Sequence, residues 1–475
     1  MRRVGYRKNI IKVALLYPST NAVAMSSAVF HILYFKLQDE GLYVERFTLD
    51  KGPRGVEDGT PLSHFDYIVA TVHYELDYVN LVKMLLDGGV EIKATRRERP
   101  KVVVGGPPVT ANPEPLAEFV DAVAVGELEP LWSSLIEYIT TGENKGLYNP
   151  AERNVVKIAT GRWEGDYRRL PEPEAAFSLS VELARGCPFD CLFCMESYIT
   201  KPYRPRDWRE ALGDAEVLYR KYNIRPALVA LTANAHSGFK ELLKEAARRR
   251  IPISLPSLRA ELLDEETIEL IAKTGQRTLT IAPETSQRLR EALGKRISDA
   301  DLIKTVEAAK RLGLRVKMYL MVGLPCETEG DLEAVVKLIK EIRQRGVRLT
   351  LSVNPFVPKP QTPLQYHPMA PLHYLEKAIE KLKRAPHDGF THYDVELAAV
   401  QAAISLGSRD VGRHIEAAAR EKSPMRYWRN ALKRGELDYI FEKRDEPLPW
   451  SHVVGHYDAS VLKKRYEEFL KAACG

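Results

Sequence analysis

Cysteine is scarce in this chain, with five residues among 475, at positions 187, 191, 194, 326 and 474. A disulfide framework would need more of them, more evenly spread, so the usage points to a reducing compartment. Long apolar runs are missing too. None approaches the roughly 20 residues that a bilayer span requires. Charge of one sign is not in large excess: 70 basic residues face 64 acidic ones, and a net +6 over this length does not demand nucleic acid. Low-complexity tracts and solenoid-period repeats are absent. The start imitates a signal peptide, with Arg2, Arg3, Arg7 and Lys8 ahead of an apolar run. But Lys12 interrupts that run and Pro18 follows it, so a first buried strand is the better reading. The protein is expected to be cytoplasmic.

What is present, 45% apolar and 28% charged residues, suits two or three globular domains. Residues 1–145 alternate short apolar runs (11–17, 44–49, 67–72, 102–104, 122–125) with helical periods (25–38, 77–86, 131–139). This predicts an α/β fold with a doubly wound (Rossmann-like) parallel sheet. Ligands of such sheets bind outside the strand carboxyl ends. Here those are the turns Tyr17-Pro18-Ser19-Thr20, Gly105-Gly106-Pro107 and Gly126-Glu127. Their glycines either let backbone approach a ligand or only turn the chain.

Residues 146–177 read as a linker with one short hairpin, on Pro150, Gly161, Gly165, Pro171 and Pro173. A second alternating series fills 178–365. Strands at 178–184, 227–231, 253–255, 277–281, 316–322 and 350–354 have helices in the gaps at 208–222, 239–250, 265–273, 301–312 and 332–345. That pattern predicts a (β/α)6 partial TIM-type barrel with its site at the strand carboxyl ends. From 366 to 475 the strand signal stops and a mostly helical region is expected, with helices at 374–383, 395–404, 411–420 and 459–473.

Chemistry concentrates in Glu182-Leu183-Ala184-Arg185-Gly186-Cys187-Pro188-Phe189-Asp190-Cys191-Leu192-Phe193-Cys194, the first strand-to-helix loop of the second series. Thiolates are soft ligands that suit iron–sulfur clusters and zinc. Structural zinc takes four ligands, and no fourth cysteine lies in the loop. Three thiolates on a cubane of four irons leave one iron without a protein ligand, and an open metal position marks catalysis.

Cys187, Cys191 and Cys194, with Phe193 before the last, resemble the signature of the radical S-adenosylmethionine (radical SAM) superfamily, and the resemblance covers about 178–365. It implies a 4Fe-4S cluster whose open iron is chelated by the amine and carboxylate of SAM. It also implies an external one-electron donor of flavodoxin or ferredoxin type, and a 5′-deoxyadenosyl radical that abstracts hydrogen from a substrate carbon. Val322-Gly323-Leu324-Pro325 resembles the strand end that touches adenine. Glu284 resembles the residue that meets the ribose or amine, and Ser257 and Arg259 resemble contacts to the methionyl carboxylate, each also readable as a turn residue or helix cap. Phe193 belongs to the same SAM-binding set. The Gly-Gly-Glu type segment of many members is replaced by Leu231-Thr232-Ala233-Asn234-Ala235-His236-Ser237. Asn234, His236 and Ser237 are its candidate substitutes, although a lone histidine is more often structural.

The doubly wound first domain resembles that of radical SAM enzymes with a cobalamin-binding domain, on Val104-Gly105-Gly106-Pro107, Asn112-Pro113-Glu114-Pro115 and Val125-Gly126-Glu127-Leu128-Glu129. The resemblance implies cobalamin contacts at Ser19, Thr20, Thr71, Gly105, Gly106, Gly126 and Glu127. An Asp-x-His-x-x-Gly motif is absent, which fits a subgroup that needs no cobalt-ligating histidine and equally a domain that has lost cobalamin. With cobalamin the reaction implied is C-methylation; without it, another radical reaction such as carbon–carbon bond formation. A non-catalytic iron–sulfur electron-transfer protein is the competing class. Methylthiotransferases carry further cysteines in the first domain, and none precedes Cys187. Asn354 to Pro363 resembles a barrel-exit segment. Asp445 to His452 resembles the tail of cobalamin-type radical SAM proteins, where Trp450 and His452 read as packing residues. Cys326 reads as packing and the basic stretch 93–101 as a solvated loop. No catalytic side chain and no substrate is legible.

Overall fold

The computed structural model describes residues 5, 9–165 and 178–474. The basic residues Arg2, Arg3, Arg7 and Lys8, and Pro171 and Pro173 of the linker, lie outside the described residues. The chain divides into two compact units. The first comprises Met1–Leu179, Val400–Tyr439 and Asp445–Asp458; the second comprises Ser180–Ala399, Ile440–Arg444 and Ala459–Gly475.

The first unit is built on a five-stranded parallel sheet. Its strands are β1 (Lys12–Tyr17), β2 (Tyr43–Thr48), β3 (Tyr67–Thr71), β4 (Lys101–Gly105) and β5 (Ala122–Ala124), in the order β2-β1-β3-β4-β5. Val13, Ala14, Leu15 and Leu16 are fully buried, as a central strand covered on both faces requires. The order reverses between β1 and β3, where doubly wound sheets open a crevice. The helical period at 25–38 is two helices, Asn21–Ser26 and Ala28–Asp39, because the Ser27 side chain caps the second by accepting from the Phe30 N–H.

The rest of this unit comes from far along the chain. Helix Val411–Arg420 packs on helix Asp77–Asp87. The Asn112 amide donates to the carbonyls of Ser405 (3.0 Å) and Gly407 (2.9 Å). Buried Glu114 accepts from Tyr148 Oη at 2.5 Å and from Arg409 Nε at 2.7 Å. The His452 ring stacks on Tyr148 with centroids 5.0 Å apart, and Trp450 is buried. The helical region expected at 366–475 is thus divided between the units.

Two expectations are corrected here. The 146–177 stretch forms no hairpin among its described residues. Instead β6 (Val156–Lys157) pairs in parallel with β15 (Val453–Val454), and Tyr148 and Ala159 bridge to Val123 and Gly126 of the sheet edge. An edge strand leaves unpaired backbone groups, and this segment satisfies them. The basic stretch 93–101 is not simply solvated: Arg97 is buried, donating to the carbonyls of Glu91, Ile92 and Phe119 and to Asp121 at 2.6 Å.

The second unit begins with β7 (Leu179–Glu182), β8 (Ala184–Arg185) and β9 (Arg204–Pro205), the last two antiparallel. Then come β10 (Pro226–Val229), β11 (Thr278–Glu284), β12 (Arg315–Val322), β13 (Leu349–Pro355) and β14 (Gly389–His392). β7 hydrogen-bonds to β10, and β11-β12-β13-β14 form a parallel sheet. Single parallel bridges, Ala227 to Ser254 and Leu258 to Ile281, link β10 through residues 254–258 to β11. Neighbours in space therefore follow the order of the chain, with helices between. Residues 253–255, expected as a strand, make only the one bridge. Pro252 and Pro256 flank them, and proline cannot donate to a ladder. β14 was not signalled, being short and half-exposed. No helix among the described residues is long and apolar enough to cross a membrane.

Candidate functional site

The cysteine loop leaves β8 and ends where Cys194 precedes helix Met195–Ile199. Its path is fixed by its own neighbours. Lys201 Nζ donates to the Cys187 carbonyl at 3.0 Å and pairs with the Asp190 carboxylate at 2.5 Å. The Leu192 N–H donates to Leu293 at 3.0 Å. The Asp190 carbonyl accepts from Tyr198 Oη (3.3 Å) and Arg465 Nη2 (3.1 Å).

All three cysteines are free, and Cys187 and Cys191 are buried. Burial pushes the Cys191 thiol up, with Lys295 and Arg259 pulling it back, and pushes Cys194 up to about 12. Buried neutral thiols become thiolates when a bound cation replaces their protons. No group of three or more His, Cys, Asp or Glu among the described residues is gathered to hold a single metal ion. A cubane asks for something else, since each thiolate binds a different iron and the sulfurs stand further apart. Three unpaired cysteines on one loop, with cations beside them, fit that group.

Arg259 Nη1 lies 3.9 Å from Cys191 Sγ, and its guanidinium lies over the Phe189 ring, 3.8 Å from the centroid. Arg259 also pairs with Glu261. Asn234 is tied to the backbone of the arginine: Nδ2 donates to the Arg259 carbonyl at 2.8 Å and Oδ1 accepts the Arg259 N–H at 3.2 Å, which braces Arg259. His236 is likewise tied to backbone, meeting the Arg206 carbonyl (2.8 Å) and accepting the Gly238 N–H (3.0 Å). Thr232 Oγ1 is 3.5 Å from Cys187 Sγ. Ser257 is half-buried, two residues before Arg259.

Glu284 ends β11 with φ +66°, a conformation non-glycine residues rarely adopt, and pairs with Lys295 at 2.6 Å. Lys295 Nζ in turn lies 5.9 Å from the Phe193 ring centroid. The structure thus gathers Cys191, Phe193, Arg259 and Glu284 through two cations. At the end of β12, Val322 and Leu324 are buried, and the Gly323 N–H donates to Glu327 Oε1 at 2.8 Å. Burial raises the Glu327 carboxyl to about 7, despite hydrogen bonds from Gly323 and Tyr374.

The other predicted residues stand in the first unit. Ser19 and Thr20 follow β1, with Thr20 exposed, and Thr71 ends β3 with its hydroxyl 2.8 Å from His73 Nε2. Gly105 ends β4. Gly106 (φ +128°) and Gly126 (φ +114°) need their missing side chains for this chain's own sake, because a Cβ would strike the Val72 carbonyl and the Ala159 backbone. Glu127 Oε2 accepts the Gly161 N–H at 2.5 Å.

Lys201, Lys295 and Arg465 escaped the sequence reading, since no motif surrounds them. Cys326 is corrected. It is not a packing residue alone but forms a disulfide with Cys474, across 148 positions and with Cα atoms 5.2 Å apart.

Comparison with known proteins follows the same lines. The family model described as "Radical SAM proteins, N-terminal" matches residues 29–161, and that described as "Radical SAM superfamily" matches 181–339. An uncharacterized protein of Methanocaldococcus jannaschii is 29% identical over 94% of this chain and 99% of its own length. The bacteriochlorophyllide d C-8(2)-methyltransferase of Chlorobaculum tepidum is 25% identical over 59% of this chain and 68% of its own. Among solved structures, the radical S-adenosylmethionine methyltransferase TsrM of Kitasatospora setae, with cobalamin and a [4Fe-4S] cluster bound, shares the fold. Its TM-score is 0.58 at 16% identity, over 90% of this chain and 100% of that one.

Proposed function

Since the chain belongs to the radical SAM superfamily, we propose that it is a SAM-cleaving enzyme whose 4Fe-4S cluster is held by Cys187, Cys191 and Cys194 and whose reaction is cobalamin-dependent C-methylation. The observation that carries this is one loop of three free cysteines set against Arg259 and Lys295. When bound, the cluster, SAM and cobalamin supply a 5′-deoxyadenosyl radical for hydrogen abstraction and a methyl group for the resulting substrate radical.

The chain's own residues bind and orient. Arg259, braced by Asn234, stands ready for the methionyl carboxylate with a planar fork that suits two oxygens. Glu284, held in place by Lys295, takes the ribose or amine side of SAM. Phe193 and the half-buried Ser257 complete that wall. The β12 end, Val322-Gly323-Leu324, offers backbone to the adenine, with Glu327 pinning Gly323. Cobalamin fits the crevice where the first sheet reverses, at Ser19, Thr20 and Thr71. Gly105, Gly106, Gly126 and Glu127 shape the neighbouring strand ends. The methyltransferase named in the C. tepidum relative and the cobalamin named in the TsrM structure support this part. The electron comes from an external flavodoxin- or ferredoxin-type donor, in the cytoplasm.

A second reading, a radical reaction without cobalamin such as carbon–carbon bond formation, is favoured by one observation: the spaces at Gly106 and Gly126 are filled by this chain's own backbone. One sample separates the two. Anaerobically reconstituted protein given SAM and a low-potential reductant should release 5′-deoxyadenosine, and a Cys187→Ser/Cys191→Ser/Cys194→Ser variant should not. A cobalamin absorption spectrum of the purified protein decides for methylation. Intact SAM in cluster-loaded, reduced protein with candidate substrates present rejects the radical reading.

A further inference from the structure

Helix Ala459–Ala473 lies within the second unit and buries Leu462, Tyr466, Phe469 and Ala473. It packs on helix Gln287–Ala292, which follows Glu284, and on the turn Pro363–Tyr366. Tyr466 Oη meets His367 Nδ1 at 2.9 Å, and Tyr366 Oη donates to the Ala459 carbonyl at 3.2 Å. These contacts explain why the helix stays on the unit. They do not explain two others.

The first is Arg465. Its Nη2 donates to the carbonyl of Asp190, which stands between Cys187 and Cys191, at 3.1 Å. Its Nη1 is 3.8 Å from the Asp190 carboxylate, and its guanidinium lies 5.5 Å from the Tyr198 ring centroid. Tyr198 donates to the same carbonyl. A charged donor on a loop carbonyl fixes the backbone that spaces the sulfurs. The second lies nine residues on, about 14 Å along a helix. Cys474 is bonded to Cys326, three residues after Gly323. Arg288 reinforces the joint, donating to the carbonyls of Ala473 (2.7 Å) and Cys326 (3.1 Å) while pairing with Asp331 (2.6 Å). Cys326 holds φ +60°, where a residue with a side chain is rarely found. The helix therefore touches the cysteine loop with one residue and the end of β12 with another.

Resting on the radical SAM reading above, we propose that this helix is a clamp on the cofactor site, with Arg465 as a positioning residue for the cysteine loop and the Cys326–Cys474 bond as its latch. A dithiol reductant opens the latch: one hydrogen goes to each of the two cysteine sulfurs, and the reductant leaves as a disulfide. The reduced helix stays packed through Tyr466, Phe469 and Arg288, but its end loosens beside Cys326.

The test uses full-length wild type, Arg465→Ala, Arg465→Lys and Cys474→Ser. Cells are quenched with an alkylating agent at lysis, and Cys326 and Cys474 are read by mass spectrometry. Both should be blocked until a dithiol is added; their alkylation without reductant overturns the latch. Hydrogen exchange of residues 186–195 in cluster-free protein should speed up by roughly tenfold in Arg465→Ala, as the loss of one charge-assisted bond predicts, and return towards wild type in Arg465→Lys. Exchange across residues 320–328 should rise in Cys474→Ser and in dithiol-treated wild type. In reconstituted protein, the electron paramagnetic resonance spectrum of the reduced cluster should change in Arg465→Ala and be restored only in part by lysine. Unchanged exchange and an unchanged spectrum in Arg465→Ala overturn the positioning role. If Arg465→Ala does not fold, the same comparisons between Arg465→Lys and wild type decide, with lysine expected to show partial loss. Wild type that never takes up a cluster counts against the radical SAM reading itself, and the cluster-free exchange still judges the clamp.

Discussion

The guanidinium of Arg259 lies over the Phe189 ring, 3.8 Å from its centroid, with Cys191 Sγ 3.9 Å from Nη1. One planar group thus meets an aromatic face, a sulfur and the carboxylate of Glu261 together, which a lysine ammonium cannot do. Arg259→Lys is therefore expected to fold and take up iron, yet to bind SAM at least about tenfold more weakly, since one lost charge-assisted contact is worth about 1.5 kcal/mol or more. Equilibrium binding of SAM to the reconstituted variant checks this.

Cys191→Ala should remove one of three thiolates and leave the loop otherwise braced by Lys201 and Arg465. The expected outcome is loss of most bound iron and sulfide after reconstitution, with the thermal midpoint of the metal-free protein nearly unchanged. Iron and sulfide assays beside a melting curve check both halves.

Glu114 is 1% exposed and is held below its ordinary range: burial alone would push it up, but Arg409 and Tyr148 outweigh that. A depressed carboxyl contributes stability above its unfolded pKa and loses it as pH falls through the folded value. Glu114→Ala strips the partner from Tyr148 and Arg409 and should cost the first unit about 2–4 kcal/mol at neutral pH. Denaturant unfolding should show that gap narrowing below about pH 4.

Glu327 behaves oppositely. Its folded value of about 7 stands above the ordinary 4.5, so the folded chain binds the extra proton between those values. Stability then falls as pH rises through that window, by up to about 1.4 kcal/mol per pH unit from this group. Glu327→Gln keeps an oxygen for Gly323 and Tyr374 and removes the titration. The variant should gain on wild type between about pH 5 and about pH 8, read from melting midpoints.

Helices with strong local signals were legible to the residue. Helices Trp208–Tyr222 and Glu265–Lys273 start after Asp207 and Asp264, whose side chains cap them, and both match their sequence periods. The candidate cysteine loop was legible for a similar reason, since all three of its cysteines fall within eight residues. What was hidden depends on partners far along the chain. Nothing local to Asn112 says that it will meet Ser405, 293 positions on, so residues 400–439 and 445–458 could not be assigned to the first unit. Lys295 and Arg465 reach the loop from turns and helices with no motif, and the Cys326–Cys474 bond joins two cysteines that look isolated in sequence. Gly106 and Gly126 were visible as special, but the backbone that crowds them was not.

The interleaving of the first unit has a consequence for how the protein is born. Its sheet is translated early, yet the residues that satisfy Asn112 emerge 293 positions later. At cellular elongation rates of about 5–20 residues per second, that is a delay of roughly 15 to 60 seconds. Throughout it, the nascent chain carries an exposed apolar face on helix Asp77–Asp87 and a Glu114 carboxylate that still lacks Arg409. Ribosome-bound intermediates arrested before position 400 should therefore be the form of this protein most prone to aggregate.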